Sequence, residues 1–447
     1  MNLFYFLLII LLPYSIILGQ PIPNNHFLYK SSKILYDAGK DWESLTIFGP
    51  IRFKSKSQNI FNDIEPSTDI DKKIGFNIST NIYALSGYYH FKHDNKYYGY
   101  SYPIFLSKKN KNQKTGTMPQ SINIQNGQSG IGLENNWAIL QIGKGRESWG
   151  AGSDIQLSLS ENSGTYDYFL LGSDYGKVRV RYIHGFLENI DTNINRYITA
   201  RGFELTNKKS FIIGFSETVI YSGLNRSMDI AYFNPMSSHL EIELNNRLNV
   251  IGNDNANAVW QLHLDYHNNK QIRFSANYLY DEFVIDQEIE EGKEHGKAYS
   301  MRLAYNPLFS KNHILTIYTS LVHIGTPTFR HSNGMNNFVQ SERPLGWYRG
   351  SDGQEICFGI NYFNYIDLLI SFSTGFFQTG EETITNRVFE PYENYLSGLF
   401  PSGEIEKNYF IESQFTYWLN DNLSITNAIY FSPDLILFDL KINVQLF

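Results

Sequence analysis

Apolar and polar residues alternate along stretch after stretch of this chain, and the gaps between those stretches alternate short and long. Counting back from the C terminus, tight turns fall near 420–421, 363–364, 307–311, 268–269, 207–209 and 173–176. Longer polar loops fall between them, near 377–407, 323–353, 282–296, 222–255 and 188–195. A period of two places successive side chains on opposite faces of a strand. A soluble sheet has no reason to sort its connections by length. A transmembrane barrel does, because its periplasmic turns are short and its external loops long. The expected fold class is therefore all-β, a transmembrane antiparallel β-barrel.

Three segments show the two faces best. Along 177–187, Val178, Val180, Tyr182 and Phe186 oppose Lys177, Arg179 and Arg181. Along 257–267, Trp260, Leu262, Leu264 and Tyr266 oppose Gln261, His263, Asp265 and His267. Along 270–281, Ile272, Phe274, Ala276, Tyr278 and Tyr280 oppose Arg273, Ser275 and Asn277. Strands are expected at 434–447, 422–432, 408–419, 366–376, 354–362, 312–322, 297–306, 270–281, 257–267, 210–221, 196–206, 177–187, 167–173 and 137–145. Upstream segments at 118–133, 96–106, 74–92 and 46–54 alternate less clearly and bring the count to eighteen, with sixteen as the alternative. The polar faces put Arg179, Arg181, Arg273, Asp265, Arg302, Asp439 and Lys441 toward a lumen. Such cations either concentrate anions or pair with the acids and fill the barrel, since buried charge is tolerated when paired.

The chain ends support the same architecture. The first twenty residues carry no charge, and 3–18 is almost wholly apolar, which suits a secretory leader over 1–19. Pro13, Tyr14 and Ser15 interrupt it, and no later run is long enough for a helical span. Residues 20–45 form a short periplasmic segment with room for one short helix at 25–41, and 46–447 form the barrel. The last strand alternates through Ile436, Phe438, Leu440 and Ile442 and ends on Phe447, like the signal read by barrel-insertion machinery. Phe447 itself falls one residue out of phase. A soluble sandwich could explain single strands, but not the leader, strand number and loop asymmetry together.

Composition excludes several function classes. The mean hydropathy of −0.32 hides apolar residues that sit at every second position. Thirty-two Tyr and 32 Phe fit strands with interfacial girdles. Cys357 is the single cysteine, so there is no internal disulfide and no multi-cysteine zinc site. A net charge of −7 without a basic tract argues against nucleic acid. His263, Asp265 and His267 share a face, but same-face neighbours lie roughly 6.6 Å apart, too far to hold one ion unaided. Asn253-Asp254-Asn255 and the acids of 63–71 could bind calcium weakly, but neither has the EF-hand pattern, and loop acids are usually just hydrated. No serine sits in a diagnostic catalytic turn. No metal, cofactor or catalytic residue is expected.

The richest short segment runs from Gly143 to Gly152 and presents Arg146 and Trp149. Its glycine spacing matches neither a phosphate loop nor a dinucleotide fingerprint. Either the loop offers a cation and an aromatic face to sugars, or its glycines bend the wall and Trp149 joins the girdle.

In order, GKGRESWGAGSDIQLSLSEN (143–162), RYITARGFELTNKKSFIIGFSETVIYSG (196–223), YFNPM (232–236), NDNAN (253–257) and RPLGWYRGSDGQEI (343–356) resemble the capsule assembly protein Wzi family. The resemblance covers about the central half of the chain after its leader. It implies an eighteen-stranded outer-membrane barrel that attaches or organises exported polysaccharide, with a helical element closing the periplasmic end. Here only about residues 25–41 are left for that helix.

The expectation is therefore a monomeric, non-enzymatic protein in the outer membrane of a Gram-negative-type cell, in contact with its lipid and with capsular or extracellular polysaccharide. A porin or anion-selective channel is the alternative. By motif match, the polysaccharide contacts are Arg146, Trp149, Arg201, Arg226, Trp347, Tyr348 and Arg349. Arg201 shares strand parity with Phe203 and Leu205, which points it away from the lumen. The loops 222–255, 323–353 and 377–407 are long enough to fold inward and narrow the barrel.

Overall fold

The computed structural model describes residues 71–445, apart from 80–83, 94–95, 107–122, 135–136, 161, 192, 208, 251–255, 269–270, 282–291, 293, 311–312, 365–366, 394–397 and 421–422, together with Asp37. The wall starts with β1 (Asp71–Ser79), β2 (Ala84–His93), β3 (Tyr97–Leu106), β4 (Asn123–Glu134), β5 (Ala138–Gly145) and β6 (Tyr166–Asp174). It continues through β7 (Val178–Ile190), β8 (Ile194–Thr206), β9 (Phe211–Leu224), β10 (Ala256–Asn268), β11 (Ile272–Tyr280), β12 (Lys297–Phe309) and β13 (Ile314–Ile324). A ribbon of β14 (Val339–Gln340) and β15 (Arg343–Pro344) lies in the next loop. The wall then runs through β16 (Gly353–Phe363), β17 (Leu368–Thr379), β18 (Glu406–Asn420), β19 (Leu423–Ser432) and β20 (Leu435–Gln445). β20 pairs antiparallel with β1, from Ser79↔Lys441 to Gly75↔Gln445, and closes eighteen strands into a barrel. Closure leaves no open edge.

The strand count agrees with the expectation, but its make-up differs. The expected strand 74–92 is two antiparallel strands, β1 and β2, in register from Ser79↔Ala84 to Asp71↔Lys92. No Gly or Pro punctuates 80–83, so a hairpin read as one continuous strand. The segment 46–54 and the leader 1–19 lie outside the described residues. The expected long loop at 188–195 is instead a tight connection between Ile190 and Ile194, because the strands run on past the point where their apolar alternation fades.

Side-chain parity separates two surfaces. On β16, Ile356, Phe358 and Ile360 are exposed, whereas Glu355, Cys357 and Asn361 are buried. Ile370, Phe372 and Phe376 of β17 carry the exposed apolar row onward. A wall whose backbone is paired in a closed ladder and whose outer face is apolar is suited to a bilayer. No described helix is long and apolar enough to cross one. The crossing is made by strands, in the architecture of an outer-membrane protein.

At the short-turn end, asparagine side chains replace backbone partners. Asn364 Oδ1 accepts from the amides of Asp367 (3.0 Å) and Leu368 (2.8 Å). Asn207 Oδ1 accepts from Lys209, Ser210 and Phe211. These turns are the Asx type that short polar side chains favour. Loops at the opposite end run to tens of residues, as between β9 and β10 or β13 and β16.

Phe358→Arg, which puts a charge on the lipid face, is expected to cost about 2–4 kcal/mol near mid-membrane. Urea titration of folding into vesicles measures it. A loss below about 0.5 kcal/mol would contradict the outward assignment of this row.

Candidate functional site

The long-loop half of the lumen is filled. After β5 the chain turns into the barrel, and Trp149, Ile155, Leu157 and Leu159 pack with Leu345, Trp347 and Ile384 from two later loops. Ile183, Ile198, Val259, Leu279 and Val322 of the wall close round them. Polar wall residues hold the backbone of this inward loop. Asn277 Oδ1 accepts from Ala151 N (2.7 Å) and its Nδ2 donates to Ala151 O (2.9 Å). Ser300 Oγ donates to Ile155 O (2.6 Å), and Ser158 N donates to Gln261 Oε1 (3.3 Å). Gly150 (φ +118) and Gly152 (φ +79) allow the entry bend. A Cβ on Gly150 would meet Asn277 Oδ1 at 2.7 Å, so the glycine also permits the close approach.

Two further clamps seal the plug. Arg196 donates to the carbonyls of Met335 (2.6 Å), Asn337 (2.7 Å) and Val339 (3.0 Å) and pairs with Glu188 (2.6 Å). Asp352 accepts from Thr326 Oγ1 (2.7 Å) and Ser402 Oγ (2.5 Å), tying the loop after β13 to the loop after β17. Charge-assisted bonds of this kind are the strong ones.

Most of the expected sugar contacts are part of this machinery rather than free surface. Trp149 is 4% exposed, with the Arg181 guanidinium 4.6 Å over its ring. It stands neither in a girdle nor open to solvent, because the glycine turn carries it inward. Trp347 is 1% exposed. Arg349 pairs with Glu355 (2.8 Å) and lies 3.4 Å from the Phe377 ring centre, and Tyr348 donates to the same carboxylate (2.6 Å). Arg146 is half-buried, and burial first and the Arg343 charge second pull its guanidinium down to about 10.

The lumen-facing set is paired. Arg181 meets Glu147, Arg273 meets Asp265 (2.5 Å), and Arg179 lies 3.7 Å from both Asp174 and Glu204. Lys441 meets Asp439 at 3.1 Å. Arg302 pairs with Asp37 (2.6 Å) and lies 3.6 Å from the Tyr318 ring centre. Asp37 belongs to the expected periplasmic segment, is helical, and sits inside the barrel. Glu147, Arg196 and Asp352 were not singled out in the sequence, and Asn277 was read there only as one polar residue of an alternating face. Arg196 shares parity with the lumen-facing Glu204, a signal that was legible. Asp352 lies in a loop and carried none.

The loop between β9 and β10 does not fold inward. It lies against the outside of the wall as a flap, with a 3-10 turn (Ile230–Phe233) and a short helix α1 (His239–Leu244). Tyr232, Ile242 and Leu248 pack on the outward residues Tyr197, Val219 and Tyr221. Arg201, on the outer face, pairs with Glu217 (3.2 Å) and donates to the flap carbonyls of Asn234 (3.1 Å) and Ser237. Arg226 pairs with Asp229 (3.4 Å), its guanidinium 4.7 Å over Tyr221. The outward faces of the tall strands β7–β9 carry aromatics well above the short turns, and the flap buries them.

His239 adds a pH dependence. Its amide is held by Glu217 Oε1 (2.9 Å), and its Nδ1 lies 2.6 Å from Tyr232 Oη. Burial first, then the charges of Arg201 and His331, lower its pKa to about 4, and the Glu243 carboxylate at 3.4 Å does not reverse this. The released flap would titrate near the ordinary histidine value of about 6.5. Between those values the released form binds more protons, so flap docking is complete above about 6.5 and weakens as pH falls toward 4. Hydrogen exchange of 229–248, corrected for intrinsic rates, should show protection lost at pH 4.5 and retained in His239→Gln. Equal protection of the wild type at pH 7.5 and 4.5 would refute this role for His239.

No protein-family model and no curated protein matches the chain. Among solved structures, it is similar to Wzi, described as an outer membrane protein involved in group 1 capsule assembly in Escherichia coli and a carbohydrate-binding β-barrel. The TM-score is 0.64 at 9% identity, covering 97% of this chain and 99% of that one. OprD from Pseudomonas aeruginosa follows at TM-score 0.44 and 10% identity, covering 84% and 93%. OccD3 of the same organism gives 0.44 at 9%, covering 84% and 90%. At these identities the likeness is one of fold: the chain has the fold of an outer-membrane β-barrel.

Proposed function

We propose that this barrel binds or organises exported polysaccharide at the cell surface, as a member of the Wzi-like group, and is neither an enzyme nor an open diffusion pore. The observation that carries this reading is the apolar plug. A porin keeps a water-filled lumen, whereas Trp149, Leu157, Leu159, Leu345 and Trp347 occupy the outer half of this one. The full-length likeness to a carbohydrate-binding barrel and the ordered motifs support it. The lumen cations are neutralised in pairs, which leaves little field to select anions.

The sugar contact falls at Arg146 and its neighbour Arg343. Arg146 and Arg343 lie close enough for one charge to depress the other, and both are partly withdrawn from water. Two juxtaposed guanidiniums suit a carboxylate or other acidic sugar substituent, which they can bind in bidentate fashion. The partners are thus a polysaccharide outside and lipid around a monomeric wall, after delivery by the barrel-insertion machinery.

Arg146→Ala with Arg343→Ala should weaken polysaccharide retention about tenfold or more, since charged hydrogen bonds contribute about 1.5–3 kcal/mol each. Cell-associated against shed polysaccharide reads this out, with heat-modifiable gel mobility as the folding check. Unchanged retention in a folded double variant would remove the pair from the site. Trp149→Ala is expected to loosen the plug instead, at about 3–5 kcal/mol.

In planar bilayers the wild-type barrel should show little steady conductance. Large, ohmic, anion-selective steps would replace the binding reading with the channel one.

A further inference from the structure

The wall is short where the plug leaves it. β5 has 8 residues and β6 has 9, because the chain turns inward after Gly145 and rejoins the wall at Tyr166. On the far side β17 and β18 have 12 and 15. A tilted strand climbs about 2.5 Å per residue, so an apolar band about 25 Å tall takes about ten residues. On β18 the exposed apolar residues accordingly run from Tyr409 to Leu419. On β5 they stop at Ile142, and the next outward side chain is Lys144, six positions above Ala138. Its register partner on β6 is Asp167, outward and exposed. Charged side chains thus face outward about 15 Å above the short turns.

The flap sets a similar limit on β7–β9. Arg201 is outward and five positions above Thr206, about 12 Å up. Its hydrogen bonds bring the flap carbonyls of Asn234 and Ser237 to that height. Beside Ser237 the flap carries Arg247 paired with Glu241 (2.8 Å), the two side chains 41% and 43% exposed. Below the flap the apolar belt remains as a crevice of about 1160 Å³. It runs from Trp137 and Tyr175 at the short turns to Pro235 and Met236 on the flap's underside. Trp137 and Tyr175 are exposed, as girdle aromatics at the periplasmic interface are.

We propose that the bilayer is pinched against β5–β9, its hydrocarbon about 15 Å thick there and about 25 Å thick against β16–β18. Exposed Ile131 and Leu133 of β4 on one side, and Leu262 and Tyr266 of β10 on the other, continue the apolar belt past the crevice, so lipid is its occupant. A bilayer meets a short apolar span by thinning, at modest cost per Å. Hydrocarbon of full thickness would instead surround Lys144, Asp167, Arg247 and Glu241, and charges facing lipid are expensive. The pinch lies on the outside of the wall and does not depend on polysaccharide binding.

The test uses the full barrel in bilayer discs of dioleoyl phosphatidylcholine, where a water-soluble maleimide reaches both faces. Lys144→Cys and Thr374→Cys compare outward positions, each six residues above the short-turn end of its strand, on β5 and β17. Asp167→Cys adds a second near-wall position, seven residues above Asp174. Cys357 is buried, and the wild type sets its background. Rates are referred to those of the urea-unfolded chains, and heat-modifiable mobility checks folding. Lys144→Cys and Asp167→Cys should react tenfold or more faster than Thr374→Cys. Equal rates, whether from a bilayer of uniform thickness or from a second copy covering this side, would overturn the proposal. Either near-wall thiol decides if the other variant does not fold.

Discussion

Closure of the ladder between β1 and β20 is the constraint on which the rest depends. In hydrocarbon an unpaired backbone group costs several kcal/mol, so a sheet in a membrane must meet itself. Eighteen strands satisfy that rule but enclose a wide space. The space must be filled with water or with protein, and here its outer half holds protein drawn from the loops.

Filling a lumen with loop backbone creates a second satisfaction problem, because loops carry polar groups that no ladder pairs. The wall supplies the answer residue by residue. Asn277, Gln261, Ser300 and Arg196 face inward where a porin would need only solvated polar groups, and they serve as hydrogen-bonding partners for the plug. The charged pairs below follow the same logic. Arg273 with Asp265 and Arg302 with Asp37 are buried, and removing one partner would strand the other at a cost of about 3–5 kcal/mol.

The fold was largely legible because strand parity is a local property. The faces of β7, β10 and β11 follow from alternation alone, and the short turns follow from asparagines such as Asn207 and Asn364. The hairpin between β1 and β2 was missed because its turn lacks Gly and Pro. The site was less legible because it depends on where loops go. Gly150 and Gly152 permit the turn that carries Trp149 inward, but nothing local announces that the stretch holding Tyr232 lies outside. Parity did flag Arg201 as outward, yet its partners Ser237 and Asn234 are loop carbonyls no pattern announces.

Long external loops are ordinarily where a barrel tolerates change, since loops vary freely while the scaffold persists. The plug inverts that expectation. Residues 155–160 and 344–347 pack like an interior, so an insertion there would disturb the core rather than decorate the surface. The tight outer connection at Pro433 and Asp434, exposed and flanked by β19 and β20, is the more permissive place to display a foreign peptide. In this barrel the shortest outer link, not the longest, offers the freest point for engineering or drift.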